Sequence, residues 1–226
     1  MTLSTARKSS EVLEYLQTRR SCPMNLLGDQ QGPNHEEIKK MLEIAARVPD
    51  HGRLYPWYFV VFDGDARRDV GALLREAYKI EEPDATEDKL DLEAARFLRA
   101  STVILVISRI RMAKKPVWEQ ILSSANACYN LSLAANAMGY GANWLTEWYS
   151  SNAAFKTSLG LDERDHIAGA IYIGNVVKEP EERPRPNVED LTTFWQAGAT
   201  LNKGAAYDPE KPCNPAKGFS FPDDFR

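Results

Sequence analysis

The 226 residues are 43% hydrophobic and 27% charged, with a formal net charge of −4. That apolar share can bury a substantial core in one domain or at most two, and the acidic balance argues against a nucleic-acid surface or an anionic-membrane surface. Cys22, Cys128 and Cys213 are far apart, no CxxC occurs and only three histidines are present, which argues against a zinc site or a disulfide framework and fits a reducing cytoplasm.

The N-terminal MTLSTARKSSEVLEYL lacks the apolar core of a signal peptide. Ser9 to Arg20 reads as a helix capped by Ser9 or Ser10, with Val12, Leu13 and Leu16 as an apolar stripe. It stops at TRRSCP, where Pro23 blocks continuation. NHEEIKKMLEIAARVP is a second helix, with Asn34 and Glu37 as a capping box and Ile38, Met41, Leu42 and Ala45 facing inward. Trp57 to Phe62 is a strand, apolar enough to be central in its sheet. Asp65 to Lys79 is an amphipathic helix, whereas IEEPDATEDKLDLEAA reads as a solvated acidic excursion in the manner of a lid.

Ser101 to Ser108 is a buried strand, and AKKPVWEQ opens a helix with Pro116 near its first turn. Ile121 to Tyr140 of that helix carries no charge. Its length suits a membrane span, but Ser123, Ser124, Asn126, Asn130, Ser132 and Asn136 are costly in lipid. Small residues suit close packing on several sides, as at the centre of an obligate dimer. Gly139 and Gly141 end the helix, ANWLTEW is a strand, Asn152 caps a short helix, and His166 to Val176 is the last strand. Residues 202–226 form a Pro- and Gly-containing tail expected to be disordered or to wrap a partner chain. The order α-α-β-α-β-α-β-α-β, without repeats or an evident linker, predicts one domain over residues 1–226 of the α+β or α/β class.

Four stretches could carry chemistry. In RRS, Arg19, Arg20 and Ser21 could hold a phosphate; the plainer reading is basic residues at a helix C-terminus. In ARVPDHGRLYPW, Arg47, His51 and Arg53 could surround an anionic planar ligand, or the segment could be a Pro/Gly turn with an aromatic anchor. The glycines of MGYGANWLTEW follow a helix and precede a strand, the reverse of a dinucleotide-binding fingerprint; Trp144, Leu145 and Thr146 could line a flat pocket. Arg183 and Arg185 lie between prolines, where a solvated charged segment is the plain reading. No Ser/His/Asp set, HExxH or Walker loop occurs, and His35 and His166 read as surface or capping residues.

Taken in order, RRS, ARVPDHGRLYPWYFVV, WEQILSSANACYNLSLAANAMGYGANWLT and IAGAIYIG resemble the flavin-dependent nitroreductase family, in particular its compact bacterial NAD(P)H nitroreductase subgroup, over roughly residues 10 to 180. The resemblance implies an α+β fold, a nitroreductase-like sheet flanked by helices, in an intertwined homodimer with the long uncharged helix at its interface and two FMN sites. It implies that Arg19, Arg20 and Ser21 bind FMN through its phosphate or ribityl region, and that Trp144, Leu145 and Thr146 line the flavin site in the same subunit. Arg47 and His51 would reach the flavin from the partner chain, with Arg53 beside them and Arg185 near the phosphate. The end of the long helix, Ala134, Ala135, Asn136, Ala137, Met138 and Gly139, is associated with the nicotinamide nucleotide. Many relatives read Asn-x-Gln-Pro-Trp where this chain has Arg53-Leu54-Tyr55-Pro56-Trp57, so amides that commonly meet the flavin are absent.

The implied activity is two-electron, ping-pong reduction of nitroaromatics, quinones or a related small-molecule acceptor, with NADH or NADPH as donor. No side chain is a catalytic residue, because flavin N5 carries the hydride, and no metal is required. The alternatives are another flavin reaction on the same fold, such as reductive dehalogenation or flavin-consuming chemistry, and a flavin-binding protein without efficient turnover.

Overall fold

The computed structural model describes residues 7–201; the tail 202–226, with Cys213, lies outside the described residues. Those described fall into two compact units, residues 7–180 and 181–201. The first contains helices α1 (Ser10–Thr18), α2 (His35–Ala45), α3 (Ala66–Glu81), α4 (Glu87–Ala94), α5 (Val117–Ala137) and α6 (Ala153–Ser158) and strands β1 (Trp57–Asp63), β2 (Thr102–Arg109), β3 (Gly141–Leu145) and β4 (Asp165–Gly174). The fold class is α+β, because all three strand pairings are antiparallel, in the order β1-β2-β4-β3.

The helix starts follow from local chemistry. Ser9 Oγ accepts from Val12 N–H at 3.3 Å, Asn34 and Glu37 form the reciprocal capping box at 3.0 and 2.9 Å, and Asn152 Oδ1 accepts from Phe155 N–H at 2.8 Å. Two cores lie on the two faces of the sheet. Along β2, Val103, Leu105 and Ile107 point to one core with Leu74, Phe97, Tyr149 and Phe155, while Ile104 and Val106 point to the other with Met41, Cys128 and Leu131. This is the alternation of a strand covered on both sides.

Two expectations are corrected. Strand 57–62 is not central: among the described residues β1 pairs only with β2 and lies at the edge of the sheet. Its apolar run reflects two covered faces rather than two neighbouring strands, since Val60 and Phe62 pack on one core and Trp57, Phe59 and Val61 on the other. The acidic stretch is not a solvated excursion. Thr86 caps α4 through Lys89 N–H, and Leu90 and Glu93 are buried.

Glu93 is the centre of a buried ionic network. It pairs with Arg96 and Lys89 and accepts from Trp148 Nε1 at 2.7 Å, while Glu147 pairs with Arg96 and Arg99. Arg99 Nη2 lies 3.0 Å from Tyr172 Oη, which lies 3.0 Å from Tyr149 Oη. The network fixes α4 and the segment just after β3. Among the described residues no helix is long and apolar enough to cross a membrane. The second unit has a short 3-10 turn over Val188–Leu191, with Phe194 and Trp195 exposed after it.

Burial pushes the Glu93 carboxyl up, but its hydrogen bonds from Arg96, Lys89 and Trp148 outweigh that and hold it at about 2, below its ordinary 4.5. Its ionised form therefore contributes stability that is complete above about pH 4.5 and is lost as pH falls towards 2. Glu93→Ala leaves Trp148 Nε1 without its acceptor and Arg96 with Glu147 alone, and should cost about 1–3 kcal/mol in a urea titration at pH 7. The deficit relative to the parent protein should shrink as the pH is lowered through that window.

Candidate functional site

Helix α5 organises the candidate residues. Ser123 Oγ donates to Pro49 O at 2.7 Å and accepts from Trp57 Nε1 at 3.0 Å. Ser124 Oγ lies 3.0 Å from Pro56 O and 3.1 Å from Ser108 Oγ. Asn130 Nδ2 donates to Ile44 O at 3.3 Å and Arg47 O at 3.1 Å. The chain leaving α2 carries carbonyls without helical partners, and two prolines in the turn supply no N–H. The small polar side chains of α5 satisfy those carbonyls. This is the physical reason for an uncharged but not apolar helix.

The turn itself is held in an uncommon shape. The Asp50 carboxylate accepts from Leu54 N–H at 3.0 Å and Tyr55 N–H at 2.8 Å. Gly52 has φ 89°, which glycine adopts freely, but Arg53 at 55° and Tyr55 at 50° are side-chain-bearing residues in the left-handed region. Such residues are costly and persist where the surroundings impose them, often at ligand sites. Arg47, His51, Arg53 and Tyr55 are all exposed. His51 Nδ1 lies 2.5 Å from Glu119 Oε2 in the first turn of α5, leaving its Nε2 directed away from that bond.

The other wall forms where α1 ends. Cys22 N–H bonds Ala142 O at 2.9 Å and ties the Arg19–Arg20–Ser21 segment to β3. The Arg19 guanidinium lies 5.9 Å from the centroid of the Tyr129 ring, with Nη2 3.4 Å from Ser21 Oγ. Its Nε is buried and has no acceptor among the described residues. Arg20 Nη1 lies 3.5 Å from Ser21 O. On β3, Trp144 lies across Gly169, donating Nε1 to Ala168 O at 3.2 Å; a Cβ on Gly169 would come within 2.1 Å of that nitrogen. Leu145 is half-buried against the core and Thr146 is exposed, just before the anchored Glu147.

The structure thus brings Arg19, Arg20 and Ser21 to the strand carrying Trp144–Thr146, and sets Arg47, His51 and Arg53 together on the turn along α5. Arg185 belongs to the second unit, where its guanidinium bonds Glu182 at 2.8 and 3.1 Å. Of the segment at the end of α5, Ala134 and Ala135 are buried against the sheet, and Asn136 Nδ2 donates to Tyr140 O at 2.9 Å. Met138 is half-buried, while Ala137 and Gly139 are exposed. Asp50, Glu119, Ser123 and Tyr129 were not singled out as site residues from the sequence. Asp50 was signalled by the Pro-Asp-His-Gly turn; the other three act across long sequence separations and left no local signal.

This combination of antiparallel sheet, interior helix and basic turn matches known proteins. The Nitroreductase family model matches residues 16–175. The "Putative NAD(P)H nitroreductase" of Haemophilus influenzae is 33% identical over 197 residues, which is 86% of this chain and 98% of that protein. The chain belongs to the nitroreductase family. A nitroreductase-like family protein from Bacillus cereus superposes with a TM-score of 0.72 at 21% identity, over 87% of this chain and 99% of that one. A nitroreductase with bound FMN from Bacteroides fragilis does so at 0.61 and 20%, over 83% and 100%.

The left-handed turn gives a direct test. Arg53→Gly removes the steric cost of a side chain at φ 55° and should raise stability by about 1 kcal/mol in thermal unfolding. Ligand binding or turnover should fall in the same variant, because the Arg53 guanidinium is lost while Asp50 and α5 still hold the turn.

Proposed function

We propose that this chain is an FMN-dependent oxidoreductase that takes electrons from NADH or NADPH and reduces a nitroaromatic, a quinone or a related small acceptor. The orphaned, buried Nε of Arg19, in a cluster with Arg20 and Ser21 tied to the Trp144–Thr146 strand, carries this reading. A buried donor without an acceptor is costly, and an anionic phosphate beside it would satisfy it. The residues present fit FMN on that ground, and membership of the nitroreductase family supports the same cofactor.

When bound, FMN supplies the hydride chemistry. Arg19, Arg20 and Ser21 hold its phosphate or ribityl chain by charge-assisted hydrogen bonds. Trp144 and Thr146 present their side chains and Leu145, packed on the core, its backbone to the flavin, and Gly169 lets the indole lie close to the sheet. Arg47, His51 and Arg53 present positive charge and donors where negative charge develops. Glu119 positions His51 by holding Nδ1, which leaves Nε2 for the ligand. Donor and acceptor using one place in turn give ping-pong kinetics.

The same reading includes a homodimer in the cytoplasm, with Arg47 and His51 reaching the partner's flavin. Exposed Val12, Leu13 and Leu16 of α1, with Trp118, Leu122 and Tyr129 of α5, support it: an apolar surface of this kind is what a second copy would cover. Cys22 and Cys128 are free and buried, as suits a reducing compartment.

The purified protein should be yellow or take up FMN, and NADH or NADPH should bleach it without oxygen. A colourless protein that ignores added FMN defeats the proposal; a yellow one that neither nucleotide bleaches defeats its redox part. Arg19→Ala should weaken FMN retention by about 1.5–3 kcal/mol in a fluorescence titration. His51→Ala should change flavin affinity or reduction rate in stopped flow with an unaltered unfolding midpoint. A shift in that midpoint alone assigns His51 to the support of the turn.

A further inference from the structure

We propose that a cationic rim beside the turn, formed by Arg111, Lys114 and Lys115, binds the 2′-phosphate of NADPH and so makes NADPH the preferred donor; this rests on the nicotinamide-dependent reading above. The turn and the stretch that carries the rim are neighbours. Arg109 N–H bonds Pro56 O at 2.9 Å, and the Lys115 stem runs so near Gly52 that a Cβ there would lie 3.2 Å from Lys115 Cε. The Gln120 carboxamide grips Arg111 at both backbone groups, accepting from its N–H at 2.8 Å and donating to its carbonyl at 3.1 Å. The rim is thus fastened to α5 on one side and to the strained turn on the other.

Its charge is unspent. Among the described residues, Arg111, Lys114 and Lys115 take part in no ion pair. The carboxylates of the turn and of the first turn of α5, and the one facing Arg109, are committed. Asp50 accepts from Leu54 and Tyr55 N–H, Glu119 bonds His51, and Asp165 accepts from the Arg109 guanidinium at 3.0 and 3.2 Å. A ribose diol is gripped by a free carboxylate, whereas a phosphate monoester is gripped by guanidinium and ammonium groups. The rim offers the second set, and its carboxylates are not available for the first. A concentration of positive charge on a chain of net charge −4 also draws the more highly charged nucleotide toward the turn.

The test uses the full chain loaded with FMN. Calorimetric titration compares 2′,5′-ADP with 5′-AMP, which differ only in the 2′-phosphate, and initial rates compare NADPH with NADH. The 2′-phosphorylated nucleotide should bind at least about tenfold tighter, the effect of one charge-assisted contact. Lys114→Gln with Lys115→Gln should abolish most of that difference and lower kcat/KM for NADPH about tenfold, while NADH changes less than about twofold. Equal affinity for the two nucleotides, or equal losses with both donors, overturns the rim. A selective, lysine-dependent 2′,5′-ADP site in a protein whose flavin neither nucleotide reduces supports the phosphate site and overturns the donor reading instead.

Discussion

The hydroxyl of Ser123, donating to Pro49 O and accepting from Trp57 Nε1, joins the three things the candidate site depends on: the interior helix, the turn and the edge strand. A large apolar residue at this buried position would fill the same space but leave a proline carbonyl and an indole N–H without partners. Each such loss costs about 1–3 kcal/mol. Residues held in the left-handed region carry a cost of the same order. The bonds from Ser123, Ser124 and Asn130 and the double acceptance by Asp50 are therefore of the size needed to keep Arg53 and Tyr55 in that region. The turn does not favour this shape by its own propensity. The helix behind it imposes the shape.

Legibility in the sequence followed the range of each interaction. Caps at Ser9, Asn34 and Asn152 act over three residues and could be read directly. Sheet order could not: β1 is apolar because both its faces are covered, which resembles the pattern of a strand with neighbours on both edges. Helix α4 was hidden for a different reason. Its inward face carries Glu93, so a search for apolar periodicity misses it, and the neighbouring Lys89 and Arg96 together with the distant Trp148 make that carboxylate acceptable inside.

At the site, the residue types in RRS and in the basic turn were legible, while their fastenings were not. Ser123 reaches Pro49 across 74 positions and Glu119 reaches His51 across 68. A one-dimensional pattern shows Ser and Glu on a helix; it does not show which carbonyl or imidazole they meet. The uncharged run of α5 was the usable signal. Its interior serines face the turn, whereas Trp118, Leu122 and Tyr129 lie exposed. One stretch therefore reads both as core and as surface, and its pattern fits neither template well.

This double duty links the two walls. Tyr129 lies against Arg19, and the next residue, Asn130, holds the carbonyl of Arg47. In the proposed dimer the first wall serves the protomer's own flavin and the second serves the partner's. A displacement of α5 along its axis would move both walls together, changing one site from inside and the other from across the interface. In such a dimer, pairing the two sites through one rigid helix would keep their geometries matched. It also explains why the helix is fastened by short, directional side chains rather than by apolar packing alone: a hydrogen bond to a particular carbonyl fixes the axial position, which a smooth apolar surface does not.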